Sequence, residues 1–378
     1  MINQLIVDYS HRLLQQGLYR QRSVVSWDAE LLNFSSNDYL SLKQDKRVGK
    51  AYQTGFEKYP SGSSGSMVVC GYHPVHKKLE EAFSKALQVD DALLFSSGYA
   101  ANLGVVSLLA GAGGHLLIDK ALHASLYDGI KLADARYTRF MHNEADSLSS
   151  KLAKNILNPV VLTEGIFSMS GQMAPLAQIS QVAKQFEAAL VVDEAHAFGI
   201  CGEQGLGAVV CDELTQEEVP LRIIPFGKSF ASQGAVVAGQ KVWIDALLQS
   251  ARSYIYSTAI SPAMSYGVLE TLTIIRESDD RRRKLFQLID YFRKAIENSP
   301  LKWQNSTTPI QQLKLGCPHK ALDYTKKLRN QGIFCQAIRE PTVSKKNTGL
   351  RIILNCHHEP EDIDKLLSAL SVIYETEY

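Results

Sequence analysis

The sequence contains few cysteines, and none of them has the spacing that metal or redox motifs require. Six cysteines occur in 378 residues and no two form a C-x-x-C pair, so the sequence predicts no metal site. Their scattered positions are typical of reduced thiols, and we therefore expect a cytoplasmic protein. The N-terminus lacks a long apolar core followed by a small-residue cleavage site, so we expect no signal peptide.

A strong charge bias is missing as well. The formal net charge is +1, with 40 Lys and Arg residues against 39 Asp and Glu residues, so the composition favours neither nucleic acid nor an anionic membrane as a partner. The run Asp-Asp-Arg-Arg-Arg-Lys at 279–284 is a local exception within a helical stretch. We interpret it as a solvated helix face, with a phosphate or nucleic-acid patch as the alternative.

One window, residues 92–118, contains no Asp, Glu, Lys or Arg. It is long enough to span a bilayer. Serine and glycine clusters interrupt it at 96–98 and 111–114, however. We therefore predict a strand, a buried helix and a second strand joined by turns, and not a membrane span.

Apolar runs alternate with helical patterns through most of the chain. The predicted pairs of helix and following strand are 76–87 with 92–95, 99–109 with 115–118, 124–132 with 136–140, 145–156 with 160–163, and 176–186 with 189–193. Two more strands are predicted at 221–225 and 235–238. Strands that are continuously apolar are typical of sheets buried on both faces. The pattern predicts an α/β fold with a mainly parallel central sheet and helices on both faces.

The chain length and the apolar fraction of 45% suit about two domains with sizeable cores. Residues 1–45 are predicted as an N-terminal arm with a helix, residues 46–280 as a large α/β domain, and residues 281–378 as a small C-terminal α+β domain. The elements predicted from residue 262 onward are helices over 262–298, a strand at 310–315, a helix at 318–330, strands at 333–337 and 349–354, and a helix at 360–374.

Polar residues follow several of the predicted strands directly, where open parallel sheets bind their ligands. Residues 96–99, Ser-Ser-Gly-Tyr, open a helix whose first N–H groups suit a phosphate. An ordinary turn with a serine N-cap is the alternative. Asp193 ends a buried strand, where a carboxylate is costly unless it is paired, for example with a cationic ring nitrogen. His196 follows it, and a helix N-cap with a satisfied histidine is the alternative.

Lys228 follows the apolar strand 221–225. Loss of hydration there favours the neutral amine, which is a nucleophile. A surface lysine with an apolar stem is the alternative. A phosphate turn, an aspartate, a histidine and a lysine, each just past a strand, are together the parts that a pyridoxal 5′-phosphate site needs.

Eight segments of the sequence resemble the α-oxoamine synthases, which are fold-type-I pyridoxal-phosphate enzymes with an aminotransferase-like fold. The resemblance extends over nearly the whole chain. The segments are 33–40 (NFSSNDYL), 94–102 (LFSSGYAAN), 123–126 (HASL), 163–169 (TEGIFSM), 193–196 (DEAH), 226–228 (FGK), 255–258 (IYST), and 337–343 (AIREPTV) leading to 350–352 (LRI).

The resemblance implies roles for matched positions around the cofactor. Lys228 would carry pyridoxal 5′-phosphate as a Schiff base, and Asp193 would pair with the ring nitrogen. His196 would contact the phenolic oxygen with Ser168 close by, and His123 would stack on the ring face.

Further roles concern the phosphate, the partner subunit and the substrates. The backbone N–H groups of Gly98 and Tyr99 would bind the phosphate. Thr258 would reach the phosphate of a neighbouring subunit, which implies a homodimer with shared active sites. The implied substrate contacts are Arg351 to the amino acid's carboxylate, Asn37 and Thr342 in the substrate site, and Arg20, or alternatively Arg22, at the acyl substrate.

Two positions depart from the family's pattern: Val68, where relatives more often have His or Arg, and Pro225 at the cofactor. The family usually has Thr or Ser two residues before the glycine of the lysine motif, where its hydroxyl contacts the phosphate, and this chain has Pro225. Losing a charge-assisted hydrogen bond would weaken cofactor binding by about 1.5–3 kcal/mol. We expect Ser229, Ser97 or water to compensate.

The implied activity is the decarboxylative condensation of an amino acid with an acyl thioester. We expect L-alanine and a pimeloyl thioester, on coenzyme A (acyl-CoA) or acyl-carrier protein, as in biotin biosynthesis. Arg339 would favour an acidic acyl tail. The alternatives are a specificity of the glycine C-acetyltransferase or 5-aminolevulinate synthase type, and a catalytically inactive partner subunit on the same fold.

Overall fold

The computed structural model describes residues 1–25 and 31–376. It divides into two compact units, which we call the first unit (residues 1–37, 169–172 and 283–378) and the second unit (residues 38–168 and 173–282). The division into an arm, a large domain and a small domain stays a prediction.

The helices and strands follow the predicted order closely. In chain order the described helices are α1 Ile2–Gln15, α2 Lys46–Lys58, α3 Pro74–Leu87, α4 Gly98–Gly111, α5 Ala124–Leu132, α6 Ala145–Leu152, α7 Leu176–Gln185, α8 Ala208–Cys211, α9 Lys241–Ser250, α10 Arg252–Ile255, α11 Pro262–Arg276, α12 Asp279–Ile296, α13 Pro318–Asn330 and α14 Pro360–Glu375. The described strands are β1 Leu32–Asn33, β2 Asp91–Phe95, β3 His115–Asp119, β4 Tyr137–Phe140, β5 Pro159–Glu164, β6 Ala189–Asp193, β7 Leu221–Pro225, β8 Ala235–Gly239, β9 Ile310–Lys314, β10 Ile333–Phe334, β11 Gln336–Ile338 and β12 Gly349–Ile353.

The second unit is built on a seven-stranded sheet with the order β2-β8-β7-β6-β5-β3-β4. All neighbouring pairs are parallel except those of β8, which runs antiparallel to β2 and β7. β7 and β8 are buried over their whole length, and so is most of β5 and β6. The predicted mainly parallel sheet is confirmed, and the carboxyl ends of β2, β3, β5, β6 and β7 meet at one edge.

The first unit contains two small sheets. β11, β12 and β9 form an antiparallel sheet, and β1 pairs in parallel with β10. The prediction of one strand over 333–337 was therefore wrong. β10 and β11 belong to different sheets and buried Cys335 joins them, because β10 pairs with β1 and β11 pairs with β12.

The uncharged window forms β2, α4 and β3, as predicted. Among the described residues, no helix combines the length and the apolarity needed to cross a membrane. The predicted helix 145–156 ends at Leu152, and the predictions did not include α2 and α9.

The charged run at 279–284 is not a uniformly solvated face, so that interpretation was wrong for two of its arginines. Arg282 is only 5% exposed and donates to the carbonyls of Ile275 at 2.7 Å and Gly199 at 3.2 Å. Arg281 donates to the Leu40 carbonyl at 2.7 Å. The last carbonyls of a helix lack intrahelical partners, and Arg282 satisfies one of them at the end of α11.

Candidate active site

A cavity of about 420 Å³ lies at the edge of the sheet where the parallel strands end. Turns that follow β2, β3, β6 and β7 supply most of its wall. The residues predicted from the sequence that line it are Gly98, Tyr99, His123, Asp193, His196 and Lys228. The folded chain thus brings together residues from four separate segments of the sequence.

Asp193 is the last residue of β6 and is 4% exposed. Its Oδ2 accepts a hydrogen bond from Asn102 Nδ2 at 2.9 Å, and its Oδ1 accepts one from the Ala195 amide at 2.9 Å. Because both oxygens receive N–H donors, these contacts favour the ionised carboxylate. The cavity wall therefore contains a buried negative charge, which a cationic ring nitrogen requires as its partner.

His123 is the N-cap of α5 and is linked to Asp193 through two side chains. Its Nδ1 lies 2.7 Å from Ser125 Oγ, which accepts a hydrogen bond from Asn102 Nδ2 at 2.8 Å. Loss of hydration lowers the pKa of His123, the charge of Lys228 lowers it further, and the charge of Asp193 opposes this effect. The imidazole is therefore neutral at neutral pH.

His196 is 5% exposed and lies beside a fully buried tyrosine. Its Nδ1 is 2.6 Å from the hydroxyl oxygen of Tyr39. A partner on one ring nitrogen fixes the orientation of the imidazole and the role of the other nitrogen. The cavity therefore has an oriented histidine close to Asp193 in the chain.

Lys228 lies in a short loop after β7 that two aromatic residues anchor. Phe226 and Phe230 are buried on either side of it, with ring centroids 5.0 Å apart, and Phe226 stacks on Phe83 at 5.5 Å. Burial of one such side chain stabilises the fold by about 1.5–3 kcal/mol. The amine is half-buried in the cavity wall, on a loop whose neighbours are fixed in the core.

Pro225 occupies the position of the family's hydroxyl residue and packs against the start of α4. A Cβ on Gly98 would lie 2.5 Å from Pro225 Cγ, so only glycine fits there. Ser229, which we expected to compensate, is engaged elsewhere, because its hydroxyl donates to the Phe198 carbonyl at 2.8 Å. Ser97 caps α4 by accepting from the Ala100 amide at 3.1 Å, and it lines the cavity.

Two predicted cofactor residues do not line this cavity. Ser168 is buried just after β5, and its amide donates to Glu164 Oε2 at 3.3 Å. Thr258 is exposed, in the loop that follows α10.

The predicted substrate residues all belong to the first unit. Arg351, on β12, donates from Nη2 to Asn37 Oδ1 at 3.0 Å. Arg20 donates to Thr342 Oγ1 at 3.5 Å. The alternative to Arg20, Arg22, is exposed.

Sequence reasoning missed four residues of the site. All four lie in the matched segments and have a buried polar side chain: Tyr39, Asn102, Ser125 and Glu164. No local pattern shows that Asn102 joins Ser125 to Asp193, because the contacts span 23 and 91 positions of the chain. For Ser125 and Glu164, the signal that could have found them is their place close to the predicted residues His123 and Ser168.

The residues present fit pyridoxal 5′-phosphate. The start of α4 supplies helix amides that have no intrahelical partner, beside a glycine that keeps the approach open. Asp193 supplies a buried anion, and Lys228 supplies an amine in the same cavity wall. A phosphate, a cationic ring nitrogen and an aldehyde each find a chemically matching group.

Comparison with known proteins supports this assignment. The family model described as aminotransferase class I and II matches residues 29–370. The 8-amino-7-oxononanoate synthase of Marinobacter nauticus is 38% identical over 366 residues, which cover 94% of this chain and 93% of that protein.

Two solved structures resemble the fold closely. The 8-amino-7-oxononanoate synthase of Francisella tularensis is 30% identical, with a TM-score of 0.81 over 92% of this chain and 99% of that one. The serine palmitoyltransferase of Sphingomonas wittichii is 25% identical, with a TM-score of 0.88 over 97% of this chain and 95% of that one. The predicted fold-type-I fold is confirmed. The chain belongs to the aminotransferase class I and II family and, within it, to the 8-amino-7-oxononanoate synthases.

Proposed function

We propose that this chain joins L-alanine to a pimeloyl thioester with pyridoxal 5′-phosphate as cofactor. The products would be 8-amino-7-oxononanoate, the free thiol of the carrier and CO₂. The observation that carries the proposal is the grouping of Lys228, Asp193 and the start of α4 around one cavity. Identity of 38% to an enzyme named for this product supports the choice of substrates.

The cofactor and two charged groups share the work at the amino acid's Cα. When bound, pyridoxal phosphate supplies an electron-withdrawing ring that stabilises negative charge on that carbon. Asp193, held ionised by Asn102 and Ala195, keeps a proton on the ring nitrogen. The amine of Lys228 takes the Cα proton, and the activated carbon then displaces the thiol from the acyl group. The β-keto acid so formed loses its carboxyl group as CO₂, and a proton takes the place of that group on Cα.

The two histidines orient the ring. His123 is neutral at neutral pH, so it packs on a ring face without adding a cation beside the ring nitrogen. His196, fixed by Tyr39, holds the phenolic oxygen, and Ser168 supports the same edge. The amides of Gly98 and Tyr99 hold the phosphate at the positive end of α4.

The first unit supplies the substrate contacts in this proposal. Arg351 binds the carboxylate of alanine through its planar fork, in the orientation that Asn37 sets. Arg20 and Thr342, which contact each other, meet the acyl chain. Arg339 favours the terminal carboxylate of the acyl chain. Burial, and then the nearby charge of Arg20, lower the pKa of Arg339, so two cationic side chains lie close together there.

We further propose a homodimer in which Thr258 serves the phosphate of the partner's site. Val69 and Tyr256 are 79% and 72% exposed. The Ala259 amide donates to the Gly65 carbonyl at 2.9 Å, so the segment that contains Val69 lies beside the segment that contains Thr258. A partner subunit would cover these exposed side chains.

A thiol-release assay with a panel of substrates tests the activity. The holoenzyme is mixed with alanine, glycine or serine and with pimeloyl, acetyl or succinyl thioesters, each on coenzyme A and on acyl-carrier protein. We expect the highest kcat/KM with alanine and a pimeloyl thioester. Turnover confined to glycine with a short acyl group would contradict the proposal.

Mixed dimers test the shared site. Lys228→Ala and Thr258→Ala variants are each assayed alone and then after mixing and reassociation. If sites are shared, a mixed dimer contains one site with both defects and one intact site, so mixing restores activity. Failure of mixing to restore activity, with exchange of subunits verified, would rule out the shared site.

A further inference from the structure

Glu164 is a second buried carboxyl group in the cavity wall, and the proposed function gives it no role. It ends β5, is 2% exposed and lies opposite Asp193 in the parallel pairing of β5 and β6. Neighbouring strands are about 4.8 Å apart. Two carboxyl groups on paired residues of neighbouring strands, both out of water, do not both ionise without a large cost.

The hydrogen bonds differ between the two groups. Asp193 receives two strong N–H donors, one on each oxygen. Glu164 receives the Ser168 amide on Oε2 at a longer 3.3 Å, and the His123 amide also donates to it. Oε1 of Glu164 is buried and has no hydrogen-bond partner in the described part of the chain. The contacts thus assign the negative charge to Asp193 and leave Oε1 as the place for a proton.

The surrounding charges act in the same direction. Two aspartates face Glu164: Asp193 from β6 and Asp119 from β3. The backbone amide of His123, just before α5, also contacts Glu164. Asp119 already has a partner, since His142 Nδ1 lies 2.9 Å from its Oδ1. Burial first, and then the two aspartates, raise the pKa of Glu164 well above its usual range.

We propose that Glu164 is a positioning residue that acts as a neutral carboxylic acid. In this state it leaves Asp193 as the one anionic carboxyl beside the ring nitrogen. Its carboxyl group also accepts from the backbone amides of His123 and Ser168, which belong to turns after two different strands. Its proton on Oε1 is a hydrogen-bond donor at the cavity wall. This inference rests on the proposed function only where it names pyridoxal phosphate as the ligand.

Cofactor binding to the apo-protein separates a neutral Glu164 from an ionised one. Pyridoxal phosphate is titrated into wild type, Glu164→Gln, Glu164→Ala and Asp193→Asn, and the Kd is read from absorbance. Glutamine keeps the shape, an acceptor and a donor without charge, so we expect its Kd within about threefold of wild type. Alanine leaves two buried amides unpaired, so we expect a Kd about tenfold or more higher, with a similar increase for Asp193→Asn. A loss in Glu164→Gln as large as that in Asp193→Asn would overturn the proposal.

Two readouts need no cofactor and test the state of Glu164 directly. At neutral pH the infrared difference between wild-type apo-protein and Glu164→Gln should contain the C=O stretching band of a protonated carboxyl. The corresponding Asp193→Asn difference should contain carboxylate bands. Amide hydrogen exchange at His123 and Ser168 should be faster in Glu164→Ala and unchanged in Glu164→Gln. Carboxylate bands in the Glu164 difference, or unchanged exchange in Glu164→Ala, would overturn the proposal.

These readouts also distinguish two kinds of failure. If wild type does not bind pyridoxal phosphate, the proposed function fails, and the infrared and exchange results still decide the state of Glu164. If wild type binds it and Glu164→Gln does not, the proposed function stands and the neutral carboxyl is wrong.

Discussion

The predicted functional residues of the two units lie in different surroundings. In the second unit all of them except the exposed Thr258 are buried or line a cavity, and Asn102, Ser125 and Tyr39 contact several of them by short hydrogen bonds. In the first unit Arg20 and Thr342 are exposed and share one contact of 3.5 Å. A group fixed by several buried contacts is preorganised for a ligand of constant shape, whereas exposed side chains adjust to their ligand. Under the proposed function, the second unit thus supplies the cofactor chemistry, and more adaptable residues of the first unit set the acyl specificity.

Removal of the Lys228 amine, in the second unit, should have the largest effect on activity. We expect Lys228→Ala to lower kcat by about 10³-fold or more, because it removes the group that moves the Cα proton. The measurement is steady-state thiol release with alanine and the pimeloyl thioester. Lys241→Ala is the matched control, since Lys241 is an exposed lysine of the same unit that pairs with Asp245 at 2.8 Å. If Lys228→Ala were about as active as Lys241→Ala, Lys228 would not be the group that moves the Cα proton.

Burial in the second unit should also make its stability depend on pH. Glu80 accepts hydrogen bonds from the Leu94 amide and the Tyr72 hydroxyl, and burial raises its pKa from 4.5 to about 7. The folded state binds the proton more tightly than the unfolded state, so this group makes the free energy of unfolding fall as pH rises from about 4.5 to about 7. The full difference is about 3 kcal/mol. Urea unfolding of wild type and Glu80→Gln at several pH values measures it.

His76 works in the opposite direction within the same helix. Burial lowers its pKa from 6.5 to about 4, so its contribution to stability is present above pH 6.5 and is lost as pH falls toward 4. In wild type the two slopes oppose each other between about pH 4.5 and 6.5. Glu80→Gln should therefore uncover a stability that rises with pH in this range, while Glu57→Gln, an exposed control, keeps the wild-type profile. Parallel stability profiles of wild type and Glu80→Gln would contradict the assignment of the raised pKa to Glu80.

Most of the second unit could be predicted from the sequence because its strands are continuous apolar runs. The bounds of β6, β7 and α5 agree with the predictions residue for residue. The errors occur where local pattern and long-range pairing conflict. Residues 333–337 are short enough to suggest a single strand, and their division between β10 and β11 depends on pairing with β1 and β12, which lie elsewhere in the chain.

The site follows the same rule. Lys228, Asp193 and His196 could be predicted because each directly follows an apolar strand, and a resemblance of motifs supplied their roles. Glu164 also ends a strand, yet its importance depends on its register with Asp193 on the neighbouring strand. Asn102 lies inside a helix, and only the fold brings its amide to both Ser125 and Asp193.

Substitution of Arg351 tests the predicted substrate contacts of the first unit. We expect Arg351→Lys to raise the KM for alanine by about 10- to 30-fold with a smaller change in kcat, because lysine cannot form a bidentate contact with a carboxylate. The KM for the acyl thioester should stay near the wild-type value. Arg329→Lys is the control, since Arg329 lies in the same unit over the ring of Phe334. An increase confined to the KM for the thioester would mean that Arg351 contacts the acyl substrate and not alanine.

The smallest expected effect concerns Pro225, the one departure from the family's pattern at the cofactor. Pro225→Thr restores a hydroxyl where Pro225 now packs against Gly98. A charge-assisted hydrogen bond to the phosphate would strengthen binding of pyridoxal phosphate by about tenfold, and not by more, because part of the proline packing is lost. Pro225→Val, which has a similar shape and no hydroxyl, is the matched control in the same absorbance titration. Equal affinities for the threonine and valine variants would mean that the second unit already satisfies the phosphate without this hydroxyl, through the α4 amides and Ser97. The preorganised site would then tolerate the loss of one of its usual contacts.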